Sequence, residues 1–327
     1  MDPALRPMST SQVLDRTFSL YRGNFVLFAG IAAVPPALLM LGQLGLLALG
    51  RVSGPQGRQG LEIAAIVGAI LVGITLLVLW LIGYALATGA SVYAVSRVHL
   101  GFGTSIAESY KLIRPYTGRI LGLVALVFLA VGGVVIAGAV VIAVPVVLVS
   151  IAAGKGQPLA TGIAAGLALI LVIPAVFVLA LYLSAKLSLA VPACVVERLT
   201  TVDSLKRSWN LTRGSVLRLI LVNFLAGAIS FAIGAVLSIP YFVGVALSIN
   251  KKDPGALLPF VIWQHVAEFL ARSIAFPIAT IAVSLIYYDE RVRKEAFDLQ
   301  LMMEAIGQAQ PAPVQGEASP GTTPTIG

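Results

Sequence analysis

Acidic side chains are scarce in this chain. It has 14 Asp and Glu among 327 residues, and none falls near the middle of a long apolar stretch. Ion-coupled transporters usually place carboxylates at mid-membrane, so this absence argues against proton or sodium coupling. Cysteine is nearly missing. Cys194 is the only one, which excludes an intrachain disulfide and a cysteine zinc cluster and leaves a buried structural thiol as its default reading. The two histidines, His99 and His265, are expected on opposite sides of a membrane. No HExxH, phosphate-binding Walker loop, G-x-S-x-G or paired-carboxylate cluster occurs. The expectation is no catalytic residue, no metal and no cofactor. A net charge of +8 raises nucleic acid as a partner, but no basic run stands apart from apolar flanks, so no nucleic-acid partner is expected.

What is present is hydrocarbon. Hydrophobic residues make up 58% of the chain, and the mean hydropathy is +0.97. Six apolar stretches run roughly over 25–49, 61–96, 120–150, 160–192, 215–249 and 257–288. Each meets the roughly 20 residues that a helix needs to cross a bilayer. The fold class is therefore all-α: a polytopic membrane helix bundle with six transmembrane helices. The polar start and the length of the first stretch argue against a cleaved signal, so 25–49 reads as a retained span. Pro35 and Pro36 should kink or divide it. The second stretch is long enough to need tilt or extension beyond the bilayer. Gly162 and Gly166 form a GxxxG, and Ala85 with Gly89 a looser pair, both allowing close helix approach.

Orientation follows from Lys and Arg. Sixteen of the 22 fall in one alternate set of polar segments and six in the other. The positive-inside rule then places both termini and the two longer connections in the cytoplasm, and the expected location is the bacterial cytoplasmic membrane. The three opposite connections, near 50–60, 153–158 and 250–255, read as Gly- and Pro-rich turns.

The polar segments on the basic side resemble one another. An aromatic-x-Leu element recurs at Phe18–Leu20, Tyr110–Leu112, Trp209–Leu211 and Phe297–Leu299. Helix-capping pairs precede the first three: Ser9 with Gln12, Ser105 with Glu108, and Thr200 with Asp203. Each segment then reads as a short amphipathic helix with an apolar stripe: Leu14, Phe18, Tyr21 and Phe25 in the first, Ile106, Tyr110 and Ile113 in the second, Leu205, Trp209 and Val216 in the third. Such stripes suit the membrane interface or the end of the bundle, and the two placements are compatible. The expected domain is 1–306, in three parallel interfacial-helix-plus-hairpin repeats of about 9–98, 104–198 and 200–290. A further interfacial helix is expected over 289–303, exposed and supported by Asp289 with Arg293 and Glu290 with Lys294. A disordered tail is expected over 307–327.

Candidate contacts to anionic headgroups or to partners are Arg16, Arg22, Lys111, Arg114, Lys186, Lys206, Arg207 and Arg213. Lys186 is the sharpest, since it lies within Tyr182–Pro192. It must snorkel or find a lipid phosphate or a carboxylate such as Glu197. His265, Glu268 and Arg272 share one helical face, and Glu268 with Arg272 has the spacing of an ion pair. Asn223 in the fifth span has the means to hydrogen-bond another helix.

Three segments carry a family resemblance. The first is Leu5-Arg6-Pro7-Met8-Ser9 with Val13-Leu14-Asp15-Arg16-Thr17-Phe18 and Leu20-Tyr21-Arg22. The second is Pro192 to Glu197, followed by Ser204-Leu205-Lys206-Arg207-Ser208-Trp209 and Leu211-Thr212-Arg213-Gly214. The third and most specific runs from Tyr287 to Leu299, with Ala296 where the family pattern has Gly. Over about 5–303 the chain resembles the bacterial membrane domain attached to some glycerophosphoryl diester phosphodiesterases, and stand-alone relatives of unknown function. The resemblance does not imply hydrolysis, because that chemistry uses a separate barrel domain with histidines and metal-binding carboxylates, for which this chain has no room. The expected function is a non-enzymatic membrane module that organises lipids or partner proteins, other membrane proteins or a second copy among them, from its basic face. The alternative is a carrier or channel for a lipid or amphiphile.

Overall fold

The computed structural model describes residues 7–52, 62–153, 158–248 and 257–295. The expected turns and the tail from 307 lie almost wholly outside them. The described residues are helical, with no strand among them. In chain order the helices are α1 (Thr10–Gly23), α2 (Phe25–Ala32), α3 (Val34–Val52), α4 (Glu62–His99) and α5 (Ile106–Ile113). A short 3-10 turn leads into α6 (Thr117–Ala153), followed by α7 (Pro158–Leu187), α8 (Ala190–Val196) and α9 (Thr201–Leu211). The series ends with α10 (Val216–Leu237), α11 (Ile239–Ser248) and α12 (Leu258–Glu295).

Among the described residues five helical stretches are long and apolar enough to cross a bilayer, or six if the bent pair α2–α3 is one span. This is a multi-pass membrane protein. The bend is 44° and falls just before Pro35 and Pro36, where the missing N–H groups interrupt the helical ladder. α4 has 38 residues, about 57 Å at the usual rise. Its end is covered by protein: Ala85, Ala87, Ala90, Ser91, Ala94 and Val95 are buried.

The last span is the hub. In the most apolar window of α12, 61% of residues are buried in protein, against 17% or less in the other unbroken spans. α12 touches α1, α2, α3, α4, α8, α9, α10 and α11. Small residues on it, including Ala267, Ala271, Ala275, Ala282 and Ser284, are buried and let neighbouring backbones come close. In contrast, Leu129, Ile136, Val141, Ile170 and Val178 on α6 and α7 stand exposed, as side chains that face acyl chains do. Among the described residues nothing lies within 4 Å of where a Cβ would sit at Gly162 or Gly166, so no close approach is seen there. Gly89 does, with Ile120 and Ile113 packed against it.

Helix breaks inside hydrocarbon need donors for their freed carbonyls. Pro35 cannot bond Ile31, and the Tyr110 hydroxyl donates to the Ile31 carbonyl at 2.7 Å instead. Elsewhere the Tyr21 hydroxyl donates to the Ile274 carbonyl, three residues before Pro277 in α12, at 2.8 Å. Trp263 Nε1 donates at 2.9 Å to Leu237, beside the break between α10 and α11.

Candidate functional site

The polar end of the bundle is built on the last turns of α12. Asp289 and Glu290 are buried, at 1% and 2% exposure, where an unpaired carboxylate is costly. The Asp289 carboxylate accepts from the Met8 backbone N–H at 2.5 Å, from Arg293 Nε at 2.8 Å and from Arg218. The two guanidinium groups also donate to the Met8 carbonyl, Arg218 at 2.9 Å and Arg293 at 2.6 Å. One carboxylate and two arginines thus clasp both backbone groups of Met8 and fix the entry to α1. Lys294 pairs with Glu290 at 2.9 Å. It also donates to the carbonyls of Leu211 and of Arg213, the latter at 2.7 Å. That places a cation on the carbonyl end of α9, where the helix dipole favours it.

A second cluster joins α8, α9 and α12. Arg207 Nε donates to both Glu197 oxygens at 3.0 Å, and its Nη1 lies 2.5 Å from Glu295. Arg291 bridges the same two acids at 3.6 and 3.1 Å, and the Tyr287 hydroxyl donates to Glu197 at 2.5 Å. Burial opposes the charge on Arg207, but Glu295 and Glu197 outweigh it and hold the guanidinium above its ordinary value. These contacts clamp the helix ends together, and none leaves a nucleophile and base aimed at open space. Among the described residues no group of three or more His, Cys, Asp or Glu can hold one metal ion.

The structure separates the sequence-expected site residues into three kinds. Arg16, Arg22, Lys111, Arg114, Lys206 and Arg213 are exposed on α1, α5, α9 and the adjoining turns. None of the ion pairs among the described residues uses them. Arg207 is committed to the ion-pair cluster. Lys186 is buried at 5% exposure and does not reach Glu197. Its Nζ lies 5.1 Å from the Trp209 ring centre and 5.9 Å from that of Tyr182, within the range of cation–π attraction. At the far end of α12, Arg272 pairs with Glu268 at 3.8 Å, both largely exposed.

Sequence reasoning missed Arg218 and Met8, and it misjudged 289–295. Arg293 and Lys294 do pair with Asp289 and Glu290 at the expected spacing. However, residues 289–295 continue the sixth-span helix without a break, and the two acids are buried rather than exposed. Bringing Arg218 and Met8 to those acids makes burial possible, and no local pattern announces that meeting. Residues 296–303 lie outside the described part. The interfacial stripes are also divided. α1 buries Val13, Thr17, Leu20 and Tyr21 while Phe18 and Phe25 stay exposed. α9 buries Ser204, Ser208 and Leu211, leaving Trp209 39% exposed.

Away from this end, two cavities of about 720 and 360 Å³ lie between the spans and share Trp80, Tyr84, Asn223, Phe276 and Ala279 in their walls. The kink residues Pro35 and Pro36 line the smaller one. The walls are mainly apolar, and Thr88, Ser184, Ser188 and Thr280 spend their hydroxyl donors on their own helices.

Residues 162–302 match the family described as the membrane domain of glycerophosphoryl diester phosphodiesterase. That stretch takes in most of α7 and all of α8 to α12, and with them Glu197, Arg207, Arg218 and the acids of α12. No curated protein and no solved structure matches the chain.

Proposed function

We propose that this relative of a phosphodiesterase membrane domain is a non-enzymatic membrane module that gathers anionic lipids, or partner proteins, around a basic cytoplasmic collar. The observation that carries the reading is the division of cations at one end of the bundle. Arg207, Arg218, Arg291, Arg293 and Lys294 are consumed in ion pairs, while Arg16, Arg22, Lys111, Arg114, Lys206 and Arg213 are exposed and enter no ion pair among the described residues. A clamp in which these five cations share the carboxylates of Glu197, Asp289, Glu290 and Glu295 thereby presents a rim of further positive charge. Near an anionic leaflet each such cation contributes about 1 kcal/mol, falling off within a Debye length. The positive-inside pattern supports a cytoplasmic collar in the bacterial inner membrane. Exposed Phe18, Phe25 and Trp209 beside the cations support contact with the interface.

The collar is best understood as three repeated units. Ser9, Ser105 and Thr200 each cap a helix by accepting from the third residue onward, and they stand 96 and 95 residues apart. Each capped helix precedes a pair of spans, in keeping with parallel repeats.

To test the reading, Arg16, Lys111 and Lys206 are replaced together by Glu, and lipid enrichment is measured in mixed phosphatidylglycerol–phosphatidylcholine nanodiscs. Phosphatidylglycerol enrichment around the protein should fall and lose its salt dependence, with folding intact. Enrichment equal to that of the unaltered protein would sink the lipid reading and leave a protein partner.

The two cavities favour a second reading, a carrier for a lipid or amphiphile. Their volumes suit a small ligand, and Asn223 makes no side-chain hydrogen bond among the described residues. Filling the larger chamber with Ala279→Trp should abolish transbilayer movement of a fluorescent lipid in proteoliposomes if the chain carries one. Vesicles in which the unaltered protein moves no such lipid would remove this reading.

A further inference from the structure

Lys186 is a largely buried lysine that makes no ion pair among the described residues. It sits at the end of α7, 5% exposed. The cover is thin, supplied by the rings of Tyr182 and Trp209, which stand nearly perpendicular at 89° with centres 6.5 Å apart. Both rings keep an outward face, at 40% and 39% exposure. The positive charges of Arg213 and Lys294 add to the cost of a cation at Lys186. Glu197 is taken by Arg207 and Tyr287, and Glu290 by Lys294. The adjoining backbone is held firmly, with Ser208 Oγ donating to the Lys186 carbonyl at 2.7 Å.

An ammonium largely covered by protein and held near like charges is costly unless an anion joins it. Two ring faces offset part of that cost, but they do not neutralise it. We infer that Lys186, walled by Tyr182 and Trp209 and flanked by Arg213, is a site for one phosphate-bearing lipid headgroup. The chemistry needed is a compact anion with several acceptor oxygens, one for the ammonium and others for the Arg213 guanidinium. A lipid is the source because the site closes the end of a span and is roofed by Tyr and Trp, residues favoured where acyl chains meet headgroups. The inference rests on the collar as the headgroup-facing end, but it differs in kind: the rim attracts lipid diffusely, whereas Lys186 retains a single one.

The test uses the full chain with Trp80→Phe and Trp263→Phe, which leaves Trp209 as the sole tryptophan of the original three. It is reconstituted in phosphatidylcholine vesicles containing dibrominated phosphatidylglycerol or dibrominated phosphatidylcholine at equal mole fraction. The phosphatidylglycerol should quench Trp209 more strongly and saturate as one site. Lys186→Met, which removes a buried charge at similar length, should weaken that preference about tenfold, and Lys186→Arg should retain it. The preference should survive excess inorganic phosphate, and also the Arg16, Lys111 and Lys206 reversals that reduce diffuse enrichment. Equal quenching by the two lipids would overturn the site and hand the counter-charge to a protein partner. An unchanged preference in Lys186→Met would also overturn it. Loss of the preference in added phosphate would overturn the lipid source.

Discussion

Pro35 removes the N–H that would have bonded Ile31, and Tyr110 supplies a hydroxyl to the stranded carbonyl. If that is the reason for the contact, the two residues are energetically coupled. Tyr110→Phe alone should destabilise the protein by about 1–3 kcal/mol, the cost of an unsatisfied buried acceptor. In a Pro35→Ala background the restored N–H should make the same change nearly neutral. Thermal unfolding of the four proteins in detergent measures the coupling, and additive effects would refute it. The buried acids obey a similar logic. Asp289→Ala strands Arg218, Arg293 and the Met8 N–H and should cost about 3–5 kcal/mol, the usual penalty for breaking a buried pair. Arg207→Met removes a cation whose partners keep 17% and 24% of their side chains exposed, so solvent compensates and the loss should be smaller. The reverse order of unfolding temperatures would mean that the Met8 clasp is not a main staple.

Among the elements, those with a strong local signal were legible in the sequence. The six apolar stretches, the proline break in the first of them and the three capped helices need only hydropathy, a missing N–H and a Ser or Thr at the right offset. Caps are local enough to test one by one. Ser105→Ala and Thr200→Ala should each cost about 1 kcal/mol and raise hydrogen exchange at the start of α5 and α9 without disturbing α12. Exchange that rises equally in α12 would mean that these helices are not independently capped units. The direction of each stripe was less legible. Periodicity groups Phe18 with Tyr21, but α1 docks through Val13, Thr17, Leu20 and Tyr21. Small hydroxyl residues, Thr17 on α1 and Ser204 and Ser208 on α9, mark the buried face because they allow close approach. Hydrophobicity alone therefore points to an adjacent face. The last turns of α12 were the least legible. Their acid-before-base spacing suits either an exposed helix or a buried clamp, and the choice depends on Arg218, 71 residues away in sequence from Asp289.

At the scale of the whole molecule, one end of the bundle is polar and stapled by ion pairs. Met8, Glu197, Arg207, Arg218 and the end of α12 converge at that end, although they are scattered through the chain. With both the start of α1 and the end of α12 in one collar, the number of crossings between them must be even. Six crossings satisfy this when the bent pair α2–α3 counts as one; five single helices with α2–α3 as a re-entrant segment do not. The topology prediction follows directly. Reporter fusions after Gly57, Gly156 and Asp253 should report the outside, and those near Thr104, Thr201 and Ala305 the cytoplasm. The fusion after Gly57 is decisive. A cytoplasmic signal there would make α2–α3 a re-entrant element and break the even count. The collar could then no longer lie on one side of the membrane, and the free cations of α1 and α9 would face different leaflets.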